Sequence, residues 1–200
     1  LFTREFFALA KSRLAPGGVM LQWLQGYGIA PEDLRMVVRT YRTAFPHASL
    51  WYSSVSAYFL LGTDGPLRIG LGSLRETLEA RPALRDDFAR MGLFTAPGLL
   101  ANFLLGSEEA ARFAGEGELN VDDTLRLEFT TPLSRYESRR TDHNSRSLQS
   151  YRARSLPPLS PEDLAWAESA DGRFARGRAL LGKEFPGEAE PEFARALAAD

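Results

Sequence analysis

The order helix, Pro16-Gly17-Gly18, apolar strand constrains this chain more than any other feature. Phe2, Phe6, Leu9, Ala10 and Leu14 recur every three or four residues, with Arg4, Lys11 and Arg13 off the stripe. That spacing buries one face of a helix. Pro-Gly-Gly then stops the helix and turns the chain. Val19-Met20-Leu21-Gln22-Trp23-Leu24 is nearly continuous in apolar residues, which predicts a strand covered by helices on both faces of a parallel sheet. A first helix of this kind needs strands to pack against, and none precedes it. The sequence therefore reads as opening in mid-fold, with no starting Met before Leu1. The strand after the glycines is expected to lack one neighbour and to present an apolar edge.

Gly26, Tyr27 and Gly28 predict a loop, and Ala30-Pro31-Glu32-Asp33 the start of a second helix. Proline and acids suit a first turn, whose N–H groups have no partners within the helix. Leu34, Val37, Val38, Tyr41 and Phe45 form its buried stripe, and Pro46-His47 ends it. Leu50-Trp51-Tyr52 and Ala57 to Leu61 read as a hairpin across Ser53 to Ser56. Residues 65–118 read as helical and loop-rich. Leu74, Leu78 and Leu84, then Phe88, Met91, Leu93 and Phe94, mark two amphipathic segments around Arg81-Pro82. Leu99 to Leu105 predicts a short buried helix and Glu108 to Phe113 another. Asn120-Val121-Asp122-Asp123 predicts a polar turn, followed by an alternating strand from Leu125 to Phe129.

Composition narrows the class. A hydrophobic content of 44%, with 13 Phe and 3 Trp, belongs to a packed chain. The net charge of −2 gives no global attraction to nucleic acid or an anionic membrane. With zero cysteines, disulfides, thiolate metal sites and a Cys nucleophile are excluded. No apolar run reaches the roughly 18–20 residues of a membrane span, so a cytoplasmic chain is expected, with any inner-membrane anchor of the parent protein upstream. No His, Cys and Asp set has metal-ligand spacing.

The stretches LFTREFF, LAPGGVMLQW, PEDLRMVVRTYRTAFPH and YFLLGTD, with Asn120-x-Asp122-Asp123 and the later Leu127-Glu128-Phe129, resemble the spermidine synthase family, particularly its larger, often membrane-fused bacterial relatives. The resemblance covers residues 1–133. It implies an α/β fold, the C-terminal half of a Rossmann-like, class I methyltransferase-type sheet, followed by an α-helical tail. It also implies aminopropyl transfer from decarboxylated S-adenosylmethionine, the co-substrate of the parent, to a diamine or related amine. In the family the essential Asp ends the strand just before the LFTREFF helix, with the glycine loop further upstream. On this reading the chain itself carries no catalytic or cofactor-binding residue, and no metal ligand.

What remains is the acceptor side, for a polyamine-type small molecule. Gln22 lies near where the family places a substrate-contacting Gln, although counted from Gly17-Gly18 authentic synthases carry it one residue later, at Trp23. The alternative for Gln22 is a polar strand end. The family's Pro-Thr-Tyr-Pro loop is absent, replaced by Ser53-Ser54-Val55-Ser56. Tyr52 or Tyr58 would then supply the lining tyrosine, or both are hairpin aromatics. Two further readings stay open: an S-adenosylmethionine-dependent methyltransferase, or a non-catalytic scaffold.

Residues 134–160 change character, with Arg135, Arg139, Arg140, Arg146, Arg152 and Arg154 among Ser, Asn and Gln. They predict a solvated linker with some helix around Leu148 to Tyr151, the alternative being an RNA or lipid contact. Residues 161–200 read as helical from Ser160-Pro161-Glu162-Asp163 onward. There Gly177, Leu180, Ala189, Phe193 and Ala196 resemble one tetratricopeptide repeat, which implies a protein partner through this tail; a homo-oligomer is a further expectation. Pro186 and Gly187 are expected in the inter-helix turn, and Pro191 in a first turn. Asp122 and Asp123 hold a cation or amine, or simply form a turn. His47 caps the helix end, with catalysis as the alternative, and His143 is expected in solvent.

Overall fold

The computed structural model describes residues 2–54, 57–134, 140–153 and 155–199. The chain is mixed α/β and divides into two compact units, Leu1–Leu67 with Phe103–Ser155, and Arg68–Asn102 with Leu156–Asp200. In chain order the elements are α1 (Arg4–Ser12), β1 (Met20–Gln25), α2 (Pro31–Ala44), β2 (Ser49–Ser54), β3 (Ala57–Gly62), α3 (Leu71–Ala80) and α4 (Pro82–Arg90). A 3-10 helix (Pro97–Asn102), β4 (Phe103–Leu105), α5 (Ser107–Ala114), α6 (Arg126–Ser134), α7 (Arg140–Ser150), α8 (Pro161–Glu168), α9 (Ala170–Leu181) and α10 (Pro186–Ala198) follow.

In the first unit the sheet runs β1-β3-β2-β4 with every pairing antiparallel. Because β1 and β2 both oppose β3, they point the same way, with α2 as the crossover between them. The two expected strands pair antiparallel, but β2 runs on through Ser53 and Ser54, which were expected in the turn, and Val55 and Ser56 lie outside the described residues; β3 is inserted beside β1. This corrects the parallel-sheet expectation for β1, whose one hydrogen-bonded neighbour among the described residues is antiparallel. Its outer face is open: Val19 is 47%, Leu21 53% and Trp23 42% exposed.

Alternation along each strand sets the faces. Met20, Gln22 and Leu24 share one face with Leu50, Tyr52, Tyr58 and Leu60 by register. Phe7 of α1, Leu34 and Tyr41 of α2, and Phe45 pack into the same core. Phe7 and Tyr41 meet edge to face at 4.9 Å between centroids, and the Tyr41 hydroxyl donates to Met20 O at 2.7 Å. Gly62 is required where β3 passes Phe45, since a Cβ there would stand 2.5 Å from the ring.

Three stretches differ from expectation. Leu99 to Leu105 is not one helix: the 3-10 helix ends at Asn102, and Phe103, Leu104 and Leu105 pair with β2 as β4. A short apolar run does not distinguish a buried strand from a buried helix. Leu125 to Phe129 is not a strand. Thr124 N and Leu125 N both donate to Val121 O, Leu125 takes a φ of 43°, and the chain winds into α6 with Phe129 72% exposed. Within the stretch read as a linker, α7 buries Asn144 and Leu148 completely. Arg135, Arg139 and Arg154 lie outside the described residues.

The second unit is helical. Ser160 caps α8 by accepting from Asp163 N at 3.1 Å, and the Asp163 carboxylate in turn accepts from Leu71 N and Gly72 N, both at 3.0 Å, at the start of α3. Helices α9 and α10 pack through Ala179, Leu180 and Ala189 with Phe193 beside them. A Cβ on Gly177 would stand 2.8 Å from the Phe193 ring. Arg176 is 2% exposed; its guanidinium reaches Glu192 at 2.6 Å and Ala167 O, while burial lowers its pKa against the pull of Glu192. Helix α10 already begins at Pro186, so Pro191 stands inside it, past the first turn where it was expected.

Candidate functional site

Register places Gln22, Tyr52 and Tyr58 on the helix-covered face of the sheet. Tyr58 stands opposite Leu24 on one side and Tyr52 on the other, and Gln22 opposite Leu60. Trp23, the neighbour on which the family register would centre, points to the open face. Sharing a face does not join the polar atoms. Gln22 Nε2 donates to Trp23 O at 2.9 Å. Tyr58 is buried, with its hydroxyl 3.0 Å from Ser145 Oγ on α7. Tyr52 is half-buried, its ring edge-on to Tyr58 at 6.4 Å between centroids. Burial raises the Tyr58 phenol above its ordinary value, and the bond to Ser145 pulls the other way. A phenol kept neutral donates or accepts a hydrogen bond but does not serve as a base near neutral pH.

Helix α7 secures the carboxyl end of β1. Asn144, fully buried, donates through Nδ2 to Gly26 O and Ile29 O, each at 2.9 Å. Its Oδ1 has no hydrogen-bond partner among the described residues. Sequence reading passed over Asn144 because its neighbours are polar and charged. The one available signal was its four-residue spacing from Leu148, which marks a single helical face.

The two motifs at either end of the resemblance come together. Asn120, 1% exposed, donates through Nδ2 to Phe2 O at 3.1 Å, its carbonyl accepts from Arg4 N at 2.9 Å, and its amide donates to Thr40 Oγ1 at 2.9 Å. Glu5 Oε2 accepts from Asp122 N at 3.1 Å. Backbone hydrogen bonding at its own amide, then the Arg4 guanidinium, holds the Glu5 carboxyl below its ordinary value. The side chains of Asp122 and Asp123 are exposed and the segment is a turn.

One carboxylate was read only as a helix-start acid. Asp33, in the first turn of α2, is 4% exposed and its Oδ2 has no hydrogen-bond partner among the described residues. Its neighbour Glu32 is exposed and pairs with Arg39 at 3.1 Å; nothing in the two letters separates them. His47 makes no hydrogen bond among the described residues, which corrects the capping expectation. Phe45 N and Lys11 Nζ serve the last carbonyls of α2 instead, Tyr41 O at 3.1 Å and Ala44 O at 2.9 Å. His143 is exposed on α7.

Among the described residues, no group of three or more His, Cys, Asp or Glu could hold a metal ion, and no helix is long and apolar enough to cross a membrane. Gln22, Tyr52 and Tyr58 present an amide and two phenols, with no carboxylate to deprotonate an attacking amine. By themselves they do not fit a sulfonium-to-amine transfer. No protein-family model, no curated protein and no solved structure matches this chain.

Proposed function

We propose that residues 1–133 form the back portion of a Rossmann-like, methyltransferase-type sheet in a spermidine synthase-like aminopropyltransferase, whose cofactor loop and base lie in other parts of the parent protein. The observation that carries this reading is the strand order. Strands β1 and β2 run the same way around the α2 crossover with antiparallel β3 between them, and among the described residues no strand pairs with the outer edge of β1. The fastening of Asn120 and Asp122 to the start of α1 adds to it, because the two most family-like segments become one structural unit.

In this reading decarboxylated S-adenosylmethionine supplies the aminopropyl group when bound, and this chain lines the acceptor side. An amine acceptor carries a second, charged end that needs an acid. Asp33, buried at the start of α2 with an unpartnered oxygen, is that acid, and Gln22 and Tyr52 supply polar lining. Tyr58 is structural, since its hydroxyl is engaged by Ser145.

The test is calorimetric titration of the parent protein with decarboxylated and ordinary S-adenosylmethionine, followed by mass spectrometry of an offered diamine. Tighter binding of the decarboxylated form, with aminopropyl gain on the diamine, is expected. Tight binding of ordinary S-adenosylmethionine with methyl gain moves the protein to the methyltransferases, which share the fold class. Binding of neither leaves the scaffold reading, which the engaged Tyr58 hydroxyl and the missing tyrosine loop favour.

A further inference from the structure

The second unit contains a cavity of about 300 Å³ that the synthase reading does not use. One face of α9 forms its floor: Asp171, Phe174 and Arg178, at positions three and four apart, line up along the helix. Phe94 and Pro97 wall one side and Trp166 of α8 borders it. The Arg178 guanidinium sits over the Phe94 ring, its carbon 3.7 Å from the centroid. Phe174 is braced by Phe193 at 5.6 Å, yet remains 54% exposed, and Phe94 is 51% exposed.

The charges at the two ends are uncommitted. Among the described residues, neither the Asp171 carboxylate nor the Arg178 guanidinium makes a hydrogen bond or ion pair. Seven residues of helix separate their Cα atoms by roughly 10 Å along the axis. The groove therefore offers a negative end, an aromatic middle and a positive end, preorganised by stacking.

We propose that this groove binds a partner-protein segment in the polyproline II conformation that carries a basic and an acidic residue three positions apart with apolar residues between. A polyproline II chain has three residues per turn, so side chains three apart share a face, and it rises roughly 9 Å over that interval, close to the span from Asp171 to Arg178. The high exposure of Phe94 and Phe174 favours a peptide over a free metabolite, because small-molecule sites enclose most of their ligand. The inference rests on this groove alone and gives a partner chemistry to the helical tail, independent of any aminopropyl transfer.

The probe is a fluorescein-labelled capped tetrapeptide, Lys-Leu-Leu-Glu, titrated against the full chain by fluorescence anisotropy. Lys-Leu-Leu-Lys and Glu-Leu-Leu-Glu serve as controls. Saturable binding of the mixed-charge peptide is expected, at least about fivefold tighter than either control, since each control sets a like charge against one end. Asp171→Arg and Arg178→Glu should each weaken it by a similar factor. The double variant should restore it, because an extended peptide can lie in the reverse direction. Equal affinity for all three peptides, or a double variant no better than the singles, overturns the proposal. So does an unlabelled amino acid or spermidine that saturates the groove while the peptide does not. No arm involves S-adenosylmethionine, and all substituted side chains are exposed, so circular dichroism should show unchanged folding.

Discussion

The Tyr58 hydroxyl lies 3.0 Å from the Ser145 hydroxyl, joining the start of β3 to α7. Tyr58 is 2% exposed, so losing its one partner among the described residues leaves a buried hydroxyl unsatisfied, at about 1–3 kcal/mol. Ser145→Ala should therefore destabilise the first unit by that amount. Tyr58→Phe with Ser145→Ala removes both polar groups and should recover much of the loss. Urea unfolding of the two single variants and the double closes the cycle. Near-additive losses would mean the pair is not coupled.

The two buried phenols set an alkaline limit. Burial raises Tyr41 and Tyr58 above the ordinary tyrosine value of about 10. The folded state then holds these protons more tightly than the unfolded one. Their contribution is complete below about pH 10 and is lost as pH rises toward the higher folded values. The urea midpoint of the first unit should accordingly fall from about pH 10 upward, and Tyr41→Phe should flatten that fall. A midpoint that is level up to pH 11 would contradict it.

Asn144 offers a sharper substitution test, because its two bonds face carbonyl oxygens. Asn144→Asp replaces a donor with an acceptor among acceptors and should cost more than Asn144→Ala, which itself should cost roughly 2–3 kcal/mol for a fully buried amide. Amide exchange in residues 26–29 should accelerate in both variants more than in β3. Unchanged exchange there would show that α7 does not hold the loop.

Helix α2 was legible because Pro31-Glu32-Asp33 marks its first turn and Leu34, Val37, Val38 and Tyr41 repeat at helical spacing. The antiparallel pairing of β2 with β3 was legible from two apolar runs separated by a short serine-rich stretch. What escaped reading depends on contacts between distant segments. Phe103 to Leu105 becomes a strand only because β2 offers it an edge, and Arg126 to Phe129 turn helical where no described edge is offered. The second unit joins Arg68–Asn102 to Leu156–Asp200 through the Ile69–Leu159 bridge and the Asp163 cap, pairings that leave no periodic trace. At the candidate site, the shared face of Gln22 and Tyr58 emerges from strand register alone, while the burial of Asp33 and Asn144 depends on packing.

Asp163 ties α8 to α3 through two backbone amides. Gly70, at the N-cap of α3, brings no capping side chain, so the carboxylate is the acceptor for that end. Asp163→Ala should destabilise the second unit by about 1–2 kcal/mol. Asp163→Asn, which keeps one acceptor, should cost less. Thermal unfolding by circular dichroism checks the order, and equal losses would mean the one oxygen that Asn retains contributes nothing.

Two glycines in the same helix pair should respond in opposite directions to the same change. At Gly177 an added Cβ would stand 2.8–3.0 Å from three atoms of the Phe193 ring, closer than side chains pack without displacement. Gly177→Ala should therefore cost about 1–3 kcal/mol, the usual range for overpacking. Shrinking the ring should relieve it, so Gly177→Ala with Phe193→Leu should lose less than the two single losses added. At Gly187, in the first turn of α10, nothing lies within 4 Å of the added carbon. Gly187→Ala should then stabilise by up to about 1 kcal/mol, because alanine has less backbone freedom to lose in a helix. If both changes shift the thermal midpoint in the same direction, the close approach of α9 to Phe193 is not what makes Gly177 necessary.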